Sequence, residues 1–218
     1  MVDRTGGHFN GITRALDLVG ERWTLRIIRD LLVSPRRYTD LRNGEPPIPT
    51  NTLAARLREL EAEGIVGRRV LPRPANAVVY ELTDRGKGLE GIIIALGRWG
   101  ARALTSGGEP DPLTTDTLVI AMRTMFDPFA RQELDAIFEL HVGEVAATLC
   151  VRHGVLETAP GATGGADLVI HTGQELAAIL TGELDPGEAL RTGVLRLDGD
   201  AALLGPFLAA FHFESSAT

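Results

Sequence analysis

Small polar residues stand at the start of one predicted helix in this chain, with arginines behind them. The helix begins within IPTNTLAARLREL, and its first turn holds Thr50, Asn51 and Thr52. Arg56 and Arg58 follow along the same helix. Threonine and asparagine can hydrogen-bond the edges of DNA bases, while arginine and a helix N-terminus can bind phosphates. The alternative is an ordinary solvated helix face, which has a similar composition.

A predicted basic hairpin follows that helix directly. Its strands are expected at residues 66–71 and 78–82, and the turn between them contains Arg73 and Asn76. A protruding basic hairpin can lie along a neighbouring groove or along the phosphate backbone. Arg36 and Arg37, ahead of the helix, are further candidates for backbone contact. An ordinary hairpin with solubilising charges remains the alternative.

The periodicity of apolar residues predicts the helices that would position these side chains. Three helices are expected earlier in the chain, at residues 12–19, 23–32 and 39–42. In the helix near Thr50, the apolar residues Leu53, Leu57 and Leu60 recur at i, i+4 and i+7 and predict its buried face. Thr50 is the predicted N-cap, and Gly64 is the predicted C′ residue.

Charge is divided unevenly along the chain of 218 residues, whose net charge is −7. Residues 1–105 hold 17 Lys+Arg against 12 Asp+Glu, whereas residues 106–218 hold 5 against 17. The first part can therefore meet phosphates, and the second is expected to avoid them. We predict two modules, at residues 1–105 and 113–218, joined by a Gly- and Pro-rich linker at residues 106–112.

The composition excludes several classes of protein. Cys150 is the only cysteine, so no disulfide can form within the chain, and no C-x-x-C or H-E-x-x-H motif offers metal-ligand spacing. The longest apolar runs fall far short of the ~20 residues that a membrane span needs. The N-terminus also lacks the apolar segment of a secretion signal. We therefore expect a cytoplasmic protein with no cofactor and no membrane partner.

Several motifs between residues 12 and 102 together resemble the HxlR-type branch of winged-helix transcriptional regulators, relatives of the MarR group. They are ALDLVGERWTLRIIRDLL, PRRYTDLR, IPTNTLAARLRELEAEGIV and VVYELTDRGKGL. The resemblance implies a homodimer on a two-fold symmetric double-stranded DNA operator, with Asn51 on the recognition helix and Arg73 and Asn76 on the wing. Many members carry a sensor cysteine ahead of the first helix, but this chain has HFNGIT there, so thiol sensing by that route is not expected.

A long apolar helix is predicted from an N-cap at Thr83 to about Thr105. Its apolar stripe is wider than a small domain normally covers and comprises Leu89, Ile92, Ile93, Leu96, Trp99 and Ala103. A second copy of the chain is the expected cover. Packing against the C-terminal module of the same chain is the alternative.

The pattern after Thr114 predicts an α+β module with a mainly antiparallel sheet. The segment ADLVIHTGQELAAILTGELDPGEALRTGVLRLDGDAALLGPFLAAF resembles the sterol-carrier-protein-like fold. That resemblance implies an apolar tunnel for a hydrophobic or lipid-like small molecule. Candidate lining residues are Met122, Met125, Phe126, Phe129, Phe138, Leu180, Phe207 and Phe211. For each of them, a place in the ordinary core is the alternative.

Catalysis finds little support in the sequence. No serine lies in a G-x-S-x-G motif, and the Gly-rich PGATGGAD lacks the G-K-[ST] ending of a phosphate-binding loop. The five histidines are scattered, although His141 and His171 could meet across a sheet. No acid-base or metal site is predicted.

The leading hypothesis is a dimeric transcriptional regulator, α+β overall, in which an effector bound by the C-terminal module shifts the spacing of the two recognition helices. A second hypothesis makes that module only a dimerisation or protein-docking scaffold. A third, a lipid carrier or enzyme that merely dimerises through its N-terminal module, is disfavoured by the division of charge.

Overall fold

The computed structural model describes residues 10–44, 46–101, 113–130 and 133–212. The chain divides into two compact units, Met1–Ile93 and Ile94–Thr218. The predicted linker at residues 106–112 lies outside the described residues, and the module boundaries stay a prediction. Both units combine helices with a sheet, so the chain is an α+β protein.

Helices precede a two-stranded hairpin in the first unit. Their bounds are α1 Gly11–Val19, α2 Arg22–Val33, α3 Tyr38–Arg42 and α4 Thr50–Ala62. The hairpin consists of β1 Val66–Val70 and β2 Val78–Leu82. Apolar periodicity placed all of these elements to within one or two residues. The apolar residues of α2 and α4 lie in the core of the unit, whereas Val19 is the only buried residue of α1.

The predicted buried face of α4 is confirmed. Leu53, Leu57 and Leu60 are 0%, 1% and 2% exposed, and they belong to one core cluster with Ile28 and Val66. Burying a leucine side chain contributes about 1.5–3 kcal/mol. These leucines therefore fix the orientation of α4, and its polar face remains toward solvent.

The two ends of α4 differ from each other in how well the sequence predicted them. The N-cap prediction is wrong by one residue: Pro49 is extended, and its carbonyl accepts the first helical hydrogen bond from Leu53 at 2.9 Å. Thr50 is consequently the first residue inside the helix. The C′ prediction is confirmed, because Gly64 has φ +65° and the amides of Gly64 and Ile65 donate to the carbonyls of Glu61 and Leu60.

The predicted long helix is broken. Thr83 is confirmed as an N-cap, since its hydroxyl accepts from Gly86 N at 3.1 Å, but the helix is divided into α5 Asp84–Lys87 and α6 Glu90–Ala101. Gly86 and Gly88 lower helix propensity at the break. A side chain at Gly86 would also collide with the carbonyl of Ile65. Residues 102–105 lie outside the described residues.

A mixed five-stranded sheet forms the centre of the described part of the second unit, in the order β5-β4-β3-β6-β7. The strands are β3 Ala136–Val142, β4 Val145–Arg152, β5 Val155–Pro160, β6 Leu168–Thr172 and β7 Arg196–Gly199. Only the β3–β6 pair is parallel, so the prediction of a mainly antiparallel sheet is confirmed. Strand β5 was not predicted.

Helices accompany this sheet along the chain. They are α7 Thr115–Met125, α8 Leu176–Thr181, α9 Pro186–Thr192 and α10 Leu204–Ala210, with a short 3-10 turn at residues 201–203. Alternate strand residues such as Phe138, Leu140 and Leu149 are fully buried. Helix α7 packs against β4 and β5.

Candidate nucleic-acid interface

The first turn of α4 presents polar side chains on a fixed backbone. Thr50 and Asn51 are exposed, and Thr52 is half-buried. The hydroxyl of Tyr38, in α3, donates to the backbone carbonyl of Thr50 at 2.9 Å. Because this bond uses the main chain, it holds the start of α4 without occupying the Thr50 or Asn51 side chain.

The two arginines of α4 differ in their contacts. Arg56 pairs with Glu59 one turn later, with Nη1 2.7 Å from Oε2. Arg58 donates from Nε to the carbonyl of Ala54 at 3.1 Å and has an exposed side chain. A phosphate that approached Arg56 would have to compete with Glu59, whereas Arg58 carries no ion pair with any described acid.

The strands of the wing hold their arginines in ion pairs. Arg68 binds Glu61 of α4, with Nη2 2.9 Å from Oε2, and its guanidinium lies 5.3 Å from the ring centroid of Tyr80. The hydrogen bond to Glu61 raises the pKa of Arg68. Arg69 pairs with Glu81 on the opposite strand at 2.8 Å. These two cations are therefore neutralised within the unit.

Arg73 and Asn76 lie in the turn of the wing, and both are exposed. Backbone hydrogen bonds close the turn, from Leu71 N to Ala77 O at 2.8 Å and from Asn76 N to Pro72 O at 3.2 Å. Asn76 has a left-handed φ of 34°, a conformation that asparagine tolerates better than most residues. Arg73 forms no ion pair within the part of the chain that the structure describes.

The segment ahead of α3 joins the wing. Arg36 exchanges two backbone hydrogen bonds with Tyr80, at 2.9 and 2.7 Å, and so forms an isolated antiparallel β-bridge to strand β2 of the hairpin. The next residue, Arg37, has an exposed side chain, while its amide donates to Asp40 Oδ2 at 3.0 Å. The structure thus brings Arg36 to the base of the wing.

Two contacts that hold this surface together were not foreseen from the sequence. They are the Tyr38–Thr50 hydrogen bond and the Arg68–Glu61 ion pair. Each joins residues on different elements, so the periodicity within a single element does not predict it. Residue type and position in the sequence indicated the small polar residues of α4 and the arginine of the turn. Neither indicated Tyr38, Glu61 or Arg68 as residues that position this surface.

Comparison with known proteins identifies the family of the first unit. A family model described as HxlR-like helix-turn-helix matches residues 18–107. The HTH-type transcriptional regulator sll1512 of Synechocystis is 36% identical over 95 residues, which cover 44% of this chain and 70% of that protein. The HTH-type transcriptional regulator YodB of Bacillus subtilis is 38% identical over 85 residues, 39% of this chain and 76% of that protein. The chain belongs to the HxlR-like helix-turn-helix family. A solved structure of reduced YodB from B. subtilis is 34% identical, with a TM-score of 0.39, and covers 44% of this chain and 95% of that one.

Membership of the HxlR-like family gives the chain its general role. Like its curated relatives, it is a transcriptional regulator with a DNA-binding helix-turn-helix. It is not an enzyme. The family match lies within residues 18–107, so it describes the DNA-binding half of this HxlR-like protein.

The residues predicted to bind a ligand in the second unit form most of its aromatic core. The ring centroids of Phe138 and Phe207 are 5.1 Å apart, those of Phe207 and Phe211 are 4.8 Å apart, and those of Phe126 and Phe211 are 5.4 Å apart. Met122, Met125 and Leu180 are also buried, whereas the Phe129 side chain is 80% exposed in a turn. Their role in ligand binding stays a prediction.

Three other features concern the described residues alone. None of their helices has both the length and the apolar character needed to cross a bilayer. Among the same residues, no three or more His, Cys, Asp or Glu side chains are grouped as a metal site would require. His141 and His171 do meet across the sheet, with stacked rings 4.6 Å apart, as the sequence suggested.

Proposed function

We propose that this HxlR-like regulator binds a two-fold symmetric operator as a homodimer, with α4 in the major groove and the wing beside it. The observation that carries the proposal is the division of α4 into two faces. Leu53 and Leu57 are fully buried, while Thr50 and Asn51 at its N-terminus are exposed. A helix anchored on one side and polar at its leading end is suited to contacting base edges.

The proposed contacts fall into two groups. Base contacts come from the side chains at the start of α4, with Asn51 as the residue that can bind adenine at two points, and with Thr50 and Thr52 beside it. Phosphate contacts come from exposed cations, chiefly Arg58 and Arg73, and these contribute affinity without sequence preference. The remaining proposed phosphate contacts are Arg36, Arg37 and Arg56, and Asn76 is a proposed backbone contact on the wing.

The homodimer is supported by apolar residues that the single chain leaves exposed. On α6, Ile92, Leu96 and Trp99 are spaced at i, i+4 and i+7 and are 53%, 46% and 71% exposed. On α1, Ile12 and Leu16 are 72% and 61% exposed. A second copy that offered the same helices would cover these side chains in a two-fold symmetric interface. Operator half-sites would then lie ~10 bp apart or a multiple of that distance.

Regulation by a hydrophobic small molecule in the second unit is the other part of the proposal. The resemblance to a sterol-carrier-like fold supports it, as do Met122 and Met125 in the core, because methionine side chains adapt to irregular ligands. The ligand must bind the DNA-competent and incompetent dimers with different affinity, or it would shift nothing. It would occupy the aromatic cluster of Phe126, Phe138, Phe207 and Phe211, with Leu180 at its side and Phe129 as an exposed flanking residue.

A second candidate role for this unit is a dimerisation or protein-docking scaffold without a ligand. The close packing of the aromatic cluster favours it, since Phe138, Phe207 and Phe211 are 0%, 1% and 0% exposed. Native mass spectrometry of the protein purified from its own host separates the two roles. A measured mass above that of the protein alone, from a small molecule that stays bound, supports the ligand role. A mass equal to that of the protein alone, even after an extract of the host has been added, supports the scaffold role.

DNA titration tests the central proposal. Fluorescence anisotropy with labelled DNA from upstream of the protein's own gene should give tight binding, typically 10⁻⁸–10⁻¹¹ M for a specific site. A shuffled DNA of the same length should bind at least a thousandfold more weakly at the same salt concentration. Equal, weak binding to both would overturn the operator proposal.

A further inference from the structure

A groove runs beside the edge strand β7 in the second unit, and neither the DNA-binding surface nor the aromatic core includes it. Its volume is about 620 Å³, within the ~300–1,000 Å³ typical of small-molecule sites. Among the described residues, its lining consists of His171, Leu190, Leu195, Arg196, Leu197 and Asp198. These residues combine leucine side chains with a cation, a carboxylate and an imidazole.

Arg196 differs from the other cations of the acidic half of the chain. Residues 106–218 contain only five Lys+Arg against 17 Asp+Glu. Arg152 pairs with Asp135 at 3.4 Å and Arg191 pairs with Glu188, while Arg123 donates to Thr158 at 2.8 Å. The Arg196 side chain is exposed and forms no hydrogen bond or ion pair with any residue in the described ranges. With so many carboxylates in this half of the chain, we ask why none of the described ones pairs with Arg196.

The reason lies in how the neighbouring carboxylate is held. Asp198 stands two residues from Arg196 on the same face of β7, but its Oδ2 lies 3.1 Å from Nε2 of His171 on β6. His171 is itself fixed, because its ring stacks on His141 with centroids 4.6 Å apart. The Asp198 carboxylate is therefore paired with His171 and not with Arg196.

The contacts continue into the buried part of the sheet. Nε2 of His141 lies 3.6 Å from Glu139 Oε2, and Glu139, only 6% exposed, accepts a hydrogen bond from Gly164 N at 2.5 Å. This series of contacts orders the side chains next to Arg196 without engaging Arg196. Across the strands Arg196 lies directly opposite His171.

We propose that this groove binds a small monocarboxylate with an apolar body. The planar guanidinium of Arg196 matches a carboxylate at two points, and the leucine side chains offer an apolar surface to the rest of the ligand. Leu190 is 40% exposed and can be covered by such a body, while Leu195 is 2% exposed and forms the floor. Asp198 restricts the charge, because a dianion such as a phosphate monoester would meet a carboxylate with only one arginine to offset it.

Isothermal titration calorimetry on the full-length protein tests this site with three probes of equal chain length: octanoate, 1-octanol and octyl phosphate. Octanoate should bind saturably, and both 1-octanol and octyl phosphate should bind at least tenfold more weakly. Arg196→Gln should weaken octanoate binding at least tenfold. Arg152→Gln, on the same sheet but outside the groove, should leave it unchanged. Arg196 is exposed, so Arg196→Gln should keep the circular dichroism spectrum and the Tm of the parent.

Several results would overturn the site. They are no saturable octanoate binding up to its solubility limit, equal binding to the parent and Arg196→Gln, or equal binding of octanoate and 1-octanol. Octanoate binding that is lost in Phe138→Leu and kept in Arg196→Gln would place the molecule in the aromatic core, against this site and in favour of the hydrophobic effector proposed above. The titration uses no DNA, so its outcome is independent of whether the operator proposal stands.

Discussion

The guanidinium of Arg68 on β1 is bound to the carboxylate of Glu61 on α4, with Nη2 2.9 Å from Oε2. The pair joins the recognition helix to the wing strand, and Tyr80 lies beneath the same guanidinium at 5.3 Å. Because Arg68 is engaged on both sides, we assign it to holding the wing against α4. Arg73, in the turn, is left as the wing cation that is free to meet DNA.

Arg73→Gln should weaken binding to all DNA sequences alike. Each phosphate contact that is lost reduces the magnitude of the negative slope of log K against log salt concentration by about 0.9. A dimer that loses two contacts should therefore show a slope smaller in magnitude by about 1.8. The measurement is anisotropy at a series of salt concentrations with operator and shuffled DNA. Arg69→Gln is the matched control, because Arg69 is already neutralised by Glu81 at 2.8 Å. An unchanged slope for Arg73→Gln would remove the wing turn from the interface.

Asn51→Ala should reduce specificity more than affinity for random DNA. Each two-point contact to a base that is lost costs about 1–3 kcal/mol, so a dimer that loses two should bind the operator about 2–6 kcal/mol more weakly, with little change on shuffled DNA. Asn43→Ala serves as the control, since Asn43 is an exposed asparagine at the end of α3. If both DNAs lose the same affinity with Asn51→Ala, then Asn51 binds phosphate or nothing at all.

Leu57→Ala should destabilise the first unit by about 2–5 kcal/mol, because the side chain is 1% exposed and the cavity cannot fully close. Urea unfolding measures the change, followed by the fluorescence of Trp23 in a Trp99→Phe background, because Trp99 belongs to the second unit. Val70→Ala, at a side chain that is 66% exposed, should change the stability by about 0.5 kcal/mol or less. A loss in Leu57→Ala no greater than in Val70→Ala would mean that α4 is not anchored by its leucine face.

Trp99→Glu should convert the protein to a monomer. Trp99 is 71% exposed in the single chain, and a carboxylate buried at a dimer interface is strongly disfavoured. Light scattering after size exclusion should show twice 23.4 kDa for the parent and 23.4 kDa for the variant. Val78→Glu, at an apolar wing residue that is 49% exposed, should keep the parent mass. A parent that already elutes as a monomer contradicts the proposed dimer.

Phe138→Ala should lower the stability of the second unit by about 3–5 kcal/mol, since Phe138 is fully buried against Phe207. Thermal unfolding monitored by calorimetry is the measurement. The cavity left by the ring is apolar, so benzene at saturation should restore part of the lost Tm. Benzene should leave the Tm of Leu190→Ala unchanged, because Leu190 lies at the surface.

Sequence periodicity predicted the elements whose apolar faces are regular. The leucines of α4 recur at helical spacing and the hairpin strands are rich in valine, so both were placed closely. Sequence patterns failed where the backbone conformation of one residue decided the boundary of an element. Pro49 supplies the extended residue ahead of α4, which moves the cap away from Thr50.

The other features that the sequence did not predict have physical causes as well. Strand β5, VLETAP, is an edge strand in which no residue is fully buried, so its apolar signal is weak. The close approach of Gly86, in α5, to the carbonyl of Ile65 leaves no room for a side chain, and only the folded chain brings these two residues together. Pairings such as Arg68–Glu61 and His171–Asp198 likewise depend on tertiary structure, and no local pattern encodes them.

The left-handed Gly64, with φ +65°, makes the backbone turn by which the wing departs from α4. The surface side chains at the start of α4 take no part in that turn. The proposed base-contacting positions Thr50 to Thr52 can therefore be substituted without changing the angle between helix and wing. A regulator built in this way can acquire a new operator sequence by substitutions at a few exposed sites, and libraries that retarget it should vary those sites and keep Gly64 constant.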